Sequence, residues 1–108
     1  MQSIDQVFDF VLVSPERLLL SEKVSMVTVP GSEGDMGILY GHAPVISSLR
    51  PGLVNVYNKQ GSISHKFFLT SGFVSVDFFG CKILSEKALF LDKNLSEVDL
   101  KKHISQIK

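Results

Sequence analysis

The chain alternates, and that alternation restricts the fold more than any other feature. Phe8, Phe10 and Leu12 are interleaved with Asp9, Val11 and Val13. Val24, Met26 and Thr28 are interleaved with Ser25, Val27 and Val29, and the same period of two recurs from Leu53 to Asn58 and from Phe73 to Phe78. Such runs, rich in β-branched and aromatic residues, fit extended strands whose side chains point to opposite faces. Turn residues divide them at short intervals: Ser14-Pro15, Pro30-Gly31, Pro51-Gly52, Asn58 to Gly61, Ser71-Gly72 and Gly80. Pro and Gly set backbone angles that a strand does not hold, so they mark its ends. Many short strands at this spacing predict a β-sandwich or barrel.

Length and charge narrow the class. The 108 residues amount to a single domain, and 44% of them are hydrophobic, enough for a core without metal or disulfide. Lys plus Arg and Asp plus Glu both number 11. A net charge of zero argues against nucleic acid as the main partner and against disorder. A single cysteine, Cys81, excludes an internal disulfide and a cysteine-based zinc site; a small buried hydrophobe is its expected role. No apolar run approaches the ~18 residues of a membrane helix, and the first residues, with Asp5 and no basic group, are not expected to be a signal or transit peptide.

Several strands are apolar on both faces. Val11 and Val13 lie opposite Phe10 and Leu12, and Val74, Val76 and Phe78 lie opposite Phe73. Two readings are open: both faces are covered within the chain, or one outer face is covered by another protein. The period changes only after Asp92. Leu100, Ile104 and Ile107 form one helical stripe, with Ser96 as N-cap and Asp99 three residues on, as in a capping box. The expected organisation is a β domain over 1–91 and a short helix over 92–108.

Catalytic chemistry finds little support. A Ser–His–Asp triple can be drawn from Ser32, His42 and Asp35, but no nucleophile elbow accompanies it. His65 and His103 have no carboxylate or second histidine at metal-ligand spacing. The segment Gly31 to Gly37 is glycine-rich, yet Glu33 and Asp35 would repel phosphate and no Lys-Ser/Thr pair follows. The expectation is a long hairpin loop whose glycines supply positive φ, with no metal and no cofactor.

The stretch from Val29 to Gly52, VPGSEGDMGILYGHAPVISSLRPG, carries a pattern of the form G-x-x-G-E/D-x-G-I/V-L-x-x-H-A-P, then L-K/R-P-G. It resembles the epsilon subunit of bacterial F-type ATP synthases. The flanks agree from Phe8 to Glu16, from Leu69 to Val76 and from Ile83 to Ala88, so the likeness spans about residues 7–91. Tyr40 stands where the family often has Pro, and Ser71 replaces the first of two glycines. The resemblance implies a mainly β fold, a flattened antiparallel sandwich of about ten short strands, followed here by one short C-terminal α-helix. It implies a non-catalytic central-stalk subunit that joins gamma to the c ring, couples proton flow to ATP synthesis, and lies peripherally on the cytoplasmic face of the bacterial inner membrane through that complex, without inserting. It also favours an outer face covered by gamma over one covered within the chain. Asp35 and His42 match the family's c-ring contacts, and Glu33, Gly34 and Gly37 belong to the same partner-binding loop.

The C-terminal region departs most. The family usually continues into two antiparallel inhibitory helices, some of which bind ATP through I/L-D-x-x-R-A. Leu95 to Leu100 places Ser96 and Asp99 at that motif's Asp and Arg. An Asp repels phosphate where an Arg pairs with it, so neither ATP binding by the isolated chain nor strong inhibition is expected, and no small-molecule substrate is implied. The competing class is a free-standing β-sandwich ligand-binding module, which requires a concave, aromatic-lined pocket.

Overall fold

A computed structural model describes residues 6–91. Ten strands follow in order: β1 Phe8–Val13, β2 Leu18–Val24, β3 Met26–Gly31, β4 Gly34–Leu39, β5 Val45–Leu49, β6 Gly52–Tyr57, β7 Ile63–Leu69, β8 Gly72–Asp77, β9 Gly80–Leu84 and β10 Ala88–Leu91. They form one sheet in the order β10-β7-β6-β3-β5-β8-β9-β1-β2, with β4 on the other edge of β3. The sheet curls at β3. That strand pairs along its length with β4 and over Met26–Thr28 with β6, and it reaches β5 only through Gly31 and Leu49. One half is therefore β10-β7-β6-β3-β4 and the other β5-β8-β9-β1-β2.

The alternation sets the core. Phe10 and Leu12 of β1, Val27 and Val29 of β3, Val54 and Val56 of β6, Phe67 and Leu69 of β7, and Val74 and Val76 of β8 point inward into one buried cluster with Cys81 and Ile83 of β9. Two polar seams join the halves. Ser25 turns the chain from β2 into β3, its backbone N–H donating to Tyr57 O at 2.8 Å and its hydroxyl to Asn58 O at 2.6 Å. Glu22 of β2 meets β7, accepting from Ser64 Oγ at 3.0 Å and lying 2.8 Å from His65 Nδ1.

Two expectations change. The sheet is not wholly antiparallel, because β1 and β9 run parallel, Asp9 to Val13 beside Gly80 to Leu84. Parallel neighbours need a long crossover, and here seven strands lie between them in sequence, so no local turn signal marks the pairing. His65, expected to lack a carboxylate, has Glu22, brought from 43 residues away by the curl. The helix expected after Asp92, with the expected boundary at 91 and the residues compared with the ATP motif, lies outside the described residues.

Candidate functional site

The motif-bearing stretch from Gly31 to Gly52 places its side chains at two ends of the fold. Gly31 pairs with Gly34, so the tip between β3 and β4 is only Ser32 and Glu33. The expected long loop is thus mostly strand. Of its glycines only Gly34 has positive φ, at 137°, whereas Gly37 sits within β4 opposite Thr28. Glu33 is exposed at the tip. Asp35, exposed and beside it, is ion-paired to the Arg50 guanidinium. The turn after β5 is fastened here: Arg50 N–H donates to Pro30 O at 2.9 Å and Ser32 N–H to Ser48 O at 3.0 Å. Sequence reading missed Arg50, whose only signal was its place in the L-R-P-G motif.

His42 lies beyond the opposite end of β4. Four steps of strand separate Asp35 from Leu39, about 13 Å at the usual rise, and His42 N–H closes a turn onto Leu39 O at 3.0 Å. Its Nδ1 is 2.7 Å from Ala43 O. A carbonyl only accepts, so Nδ1 carries the proton and donates. The structure therefore does not bring Asp35 and His42 together. It also dissolves the Ser32–His42–Asp35 triple, since the carboxylate faces Arg50 and the imidazole faces its own backbone.

His42 belongs to an aromatic end. With Tyr40, Pro44, Phe78 and Phe79 it lines a cleft of about 420 Å³ whose apolar lining includes Ile38 and Val76. A larger hollow, about 710 Å³, lies between the β1–β2 and β9–β10 turns, but Glu16, Arg17, Glu86 and Lys87 rim it and Phe68 is its one aromatic. The aromatic cleft has the concave form a ligand module requires. Among the described residues no group of three or more metal-ligating side chains occurs, and no helix is long and apolar enough to cross a membrane.

The outer face of the second half carries a further feature. Phe73 lies beside Leu84, Leu84 beside Val13, and Val13 beside Leu18, in one row across β8, β9, β1 and β2. Phe73 is 56% exposed, Leu84 43% and Leu18 57%, and Ile46 of β5 is 77% exposed on the same face. Inward-facing Phe10 and Leu12 of the same strands are fully buried. Apolar residues on both faces of β1 and β8 thus mark a core on one side and a solvent-facing apolar row on the other.

Cys81 is 2% exposed, as expected of a small core residue. Burial, with a smaller contribution from the Asp77 carboxylate, pushes its thiol up to about 12. The reactive species is the thiolate, so at pH 8 the folded chain should react with a thiol reagent on the order of 1,000-fold more slowly than the urea-unfolded chain, whose thiol has an ordinary pKa near 8.5. Equal rates in a stopped-flow assay would contradict this placement.

Comparison with known proteins agrees with this architecture. The family described as ATP synthase, Delta/Epsilon chain, beta-sandwich domain matches residues 7–91. An ATP synthase epsilon chain from Rhodospirillum centenum is 44% identical over 103 residues, covering 93% of this chain and 70% of that protein. One from Parvibaculum lavamentivorans is 54% identical over 78 residues, covering 72% of this chain and 58% of that protein. A chain in the Euglena gracilis mitochondrial ATP synthase (OSCP/F1/c-ring) superposes with a TM-score of 0.75 at 25% identity, covering 97% of this chain and 66% of that one. A chain in the Tetrahymena thermophila mitochondrial ATP synthase (central stalk/c-ring) has the same fold, with a TM-score of 0.65 at 18% identity, covering 93% and 88%. With the family pattern from Val29 to Gly52, the ten-stranded curled sheet and these relatives in agreement, the chain belongs to the ATP synthase epsilon-chain family, a family of non-catalytic subunits.

Proposed function

We propose that this chain is a central-stalk subunit of a proton-translocating bacterial F-type ATP synthase, joining gamma to the c ring and coupling proton flow to ATP synthesis. On this reading it is held through the complex at the cytoplasmic face of the inner membrane. The observation that carries the reading is the outward apolar row of Phe73, Leu84 and Leu18, all exposed, with half-buried Val13 between the last two. A row of this kind is costly in water and suits the buried centre of a protein contact. It is assigned to gamma.

The acidic tip, Glu33 with Asp35, is assigned to the ring's polar, basic loop. Asp35 shares its charge with Arg50, so Glu33 is the carboxylate left without an ion pair among the described residues. Exposed ion pairs contribute ~0–1 kcal/mol each, so the tip sets register and gamma's apolar contact supplies most of the affinity. His42, the other residue the resemblance assigns to the ring, stands at the far end of β4.

Mixing the chain with purified gamma should give a complex that elutes as one species on size exclusion. Asp35→Arg places two guanidinium groups side by side and turns attraction to the ring into repulsion. It should weaken association with a detergent-solubilised c ring about tenfold at low salt and leave gamma affinity within about twofold. Failure to form the gamma complex refutes the reading. Loss of both partners together refutes the division between them.

A further inference from the structure

The two most exposed large apolar side chains among the described residues are neighbours in sequence. Phe78 is 93% exposed and Phe79 80%, at the two-residue tip of the β8–β9 hairpin between Asp77 and Gly80. The tip is held in shape. Asp77 Oδ1 accepts from the backbone N–H groups of Phe79 at 2.7 Å and of Gly80 at 3.1 Å, and the two rings stand edge to face with centroids 5.6 Å apart. Little conformational freedom therefore remains to be lost when these rings are covered. The convex tip borders the cleft of about 420 Å³ that Phe78 and Phe79 line together with Tyr40 and His42. Tyr40 is itself 58% exposed and Leu39 44%. An apolar knob and an apolar hollow thus share one end of the fold. A two-fold contact needs this combination, because each copy must present both halves of the contact from the same patch.

Charge and area favour a second copy of this chain as the occupant. The chain carries no net charge, so two copies do not repel each other at long range. The charged side chains that line the cleft are engaged, Asp9 with Lys23 at 2.7 Å and Asp77 with the turn. A two-fold axis sets each charge near its own copy, where a loose charge would be repelled and desolvated. The same pairing leaves no surplus cation at the cleft for anionic headgroups, which disfavours lipid. At ~200 Å² for a whole aromatic side chain, Phe78, Phe79, Tyr40 and Leu39 expose roughly 500 Å² per copy. Two copies would cover about 1,000 Å² between them, the size at which a specific but weak interface begins. We propose that the free chain forms a two-fold dimer through this end, the Phe78–Phe79 tip of each copy seated in the Tyr40–His42 cleft of the other. Phe73 and Leu84 lie at the far end of the same hairpin, and Glu33 and Asp35 beyond the length of β4, so the dimer leaves the apolar row and the acidic tip open. It therefore stands or falls apart from the central-stalk reading.

Sedimentation velocity of the full chain over about 2–200 µM reads the association directly, and the mass should rise from one chain toward two with a dissociation constant on the order of 10 µM. Phe78→Ser together with Phe79→Ser should weaken the dimer about 30-fold or more. Both side chains face solvent, and unchanged circular dichroism and melting temperature verify the fold. Tyr40→Ser alters the cleft without touching the turn and should weaken the dimer about tenfold. In amide NMR spectra Tyr40 and His42 should shift with concentration, whereas Glu33 and Leu84 should not. A wild-type chain that stays monomeric throughout this range overturns the proposal. If that monomer floats with vesicles of phosphatidylcholine and phosphatidylglycerol, the end belongs to lipid instead. Variants that dimerise like the wild type, or shifts confined to Leu84 and its neighbours, put the self-contact elsewhere and overturn it equally.

Discussion

Phe73→Asp should abolish stable association with gamma and leave the domain folded. Phe73 begins the apolar row and is flanked by Leu84 on β9 and Ser48 on β5. Its ring faces outward and is 56% exposed, whereas its neighbour Val74 is fully buried. The substitution therefore removes no core packing, and the melting temperature should move by no more than about 2 °C. In a complex the consequence is different. A carboxylate at the centre of an apolar contact loses its hydration without a partner. Truncations at such anchors cost ~2–4 kcal/mol, which corresponds to roughly 30- to 1,000-fold in affinity. Isothermal titration with purified gamma measures this directly. A dissociation constant within threefold of the wild type would remove the row from the gamma contact.

Sequence and structure agree where local chemistry decides and part where distance decides. The alternation in β1, β3, β6 and β8 and the turn residues at Pro51-Gly52 and Asn58 to Gly61 locate strands and their ends, because side-chain period and backbone φ are local properties. Doubly apolar strands were legible as strands, but not which face is core. That is fixed by the curl, which buries Phe10 and leaves Leu18 and Phe73 in solvent. The parallel pairing of β1 with β9, the Glu22–His65 seam and the Arg50–Asp35 pair join residues far apart in the chain. Nothing in one sequence states which strands will meet. The resemblance assigns Asp35 and His42 to one partner, and nothing in the sequence states that the extended strand between them holds them at opposite ends of β4.

Gly80→Val should be among the most damaging single changes in the β domain. At φ +155° the backbone of Gly80 is in a region that side chains rarely adopt, and a Cβ there would overlap the Asp9 carbonyl oxygen. Both obstacles are backbone, so no side-chain rotation relieves them. Asp9 opposite Gly80 is the first pair of the parallel ladder, and the next pair is Phe10 with Cys81, both buried. In the strand order β9 alone joins the β1–β2 hairpin to β8. Moving Asp9 away to admit a side chain therefore pulls Phe10 out of register with the core. Backbone strain of this kind costs ~1–3 kcal/mol, and disturbed packing around a buried Phe costs further, so about 4 kcal/mol is expected against a total of ~5–15. For a domain of this size the melting temperature should fall by roughly 15–25 °C. Gly61→Ala is the matched control. Its φ of +86° is also positive, but no heavy atom lies within 4 Å of the added carbon. The expected loss there is about 1 kcal/mol from backbone conformation alone. If the two variants unfold at the same urea concentration, the close approach at Asp9 carries no weight. A much lower midpoint for Gly80→Val places the stability of the curled sheet at its single parallel join, and that join also sets the β8–β9 tip with Phe78 and Phe79.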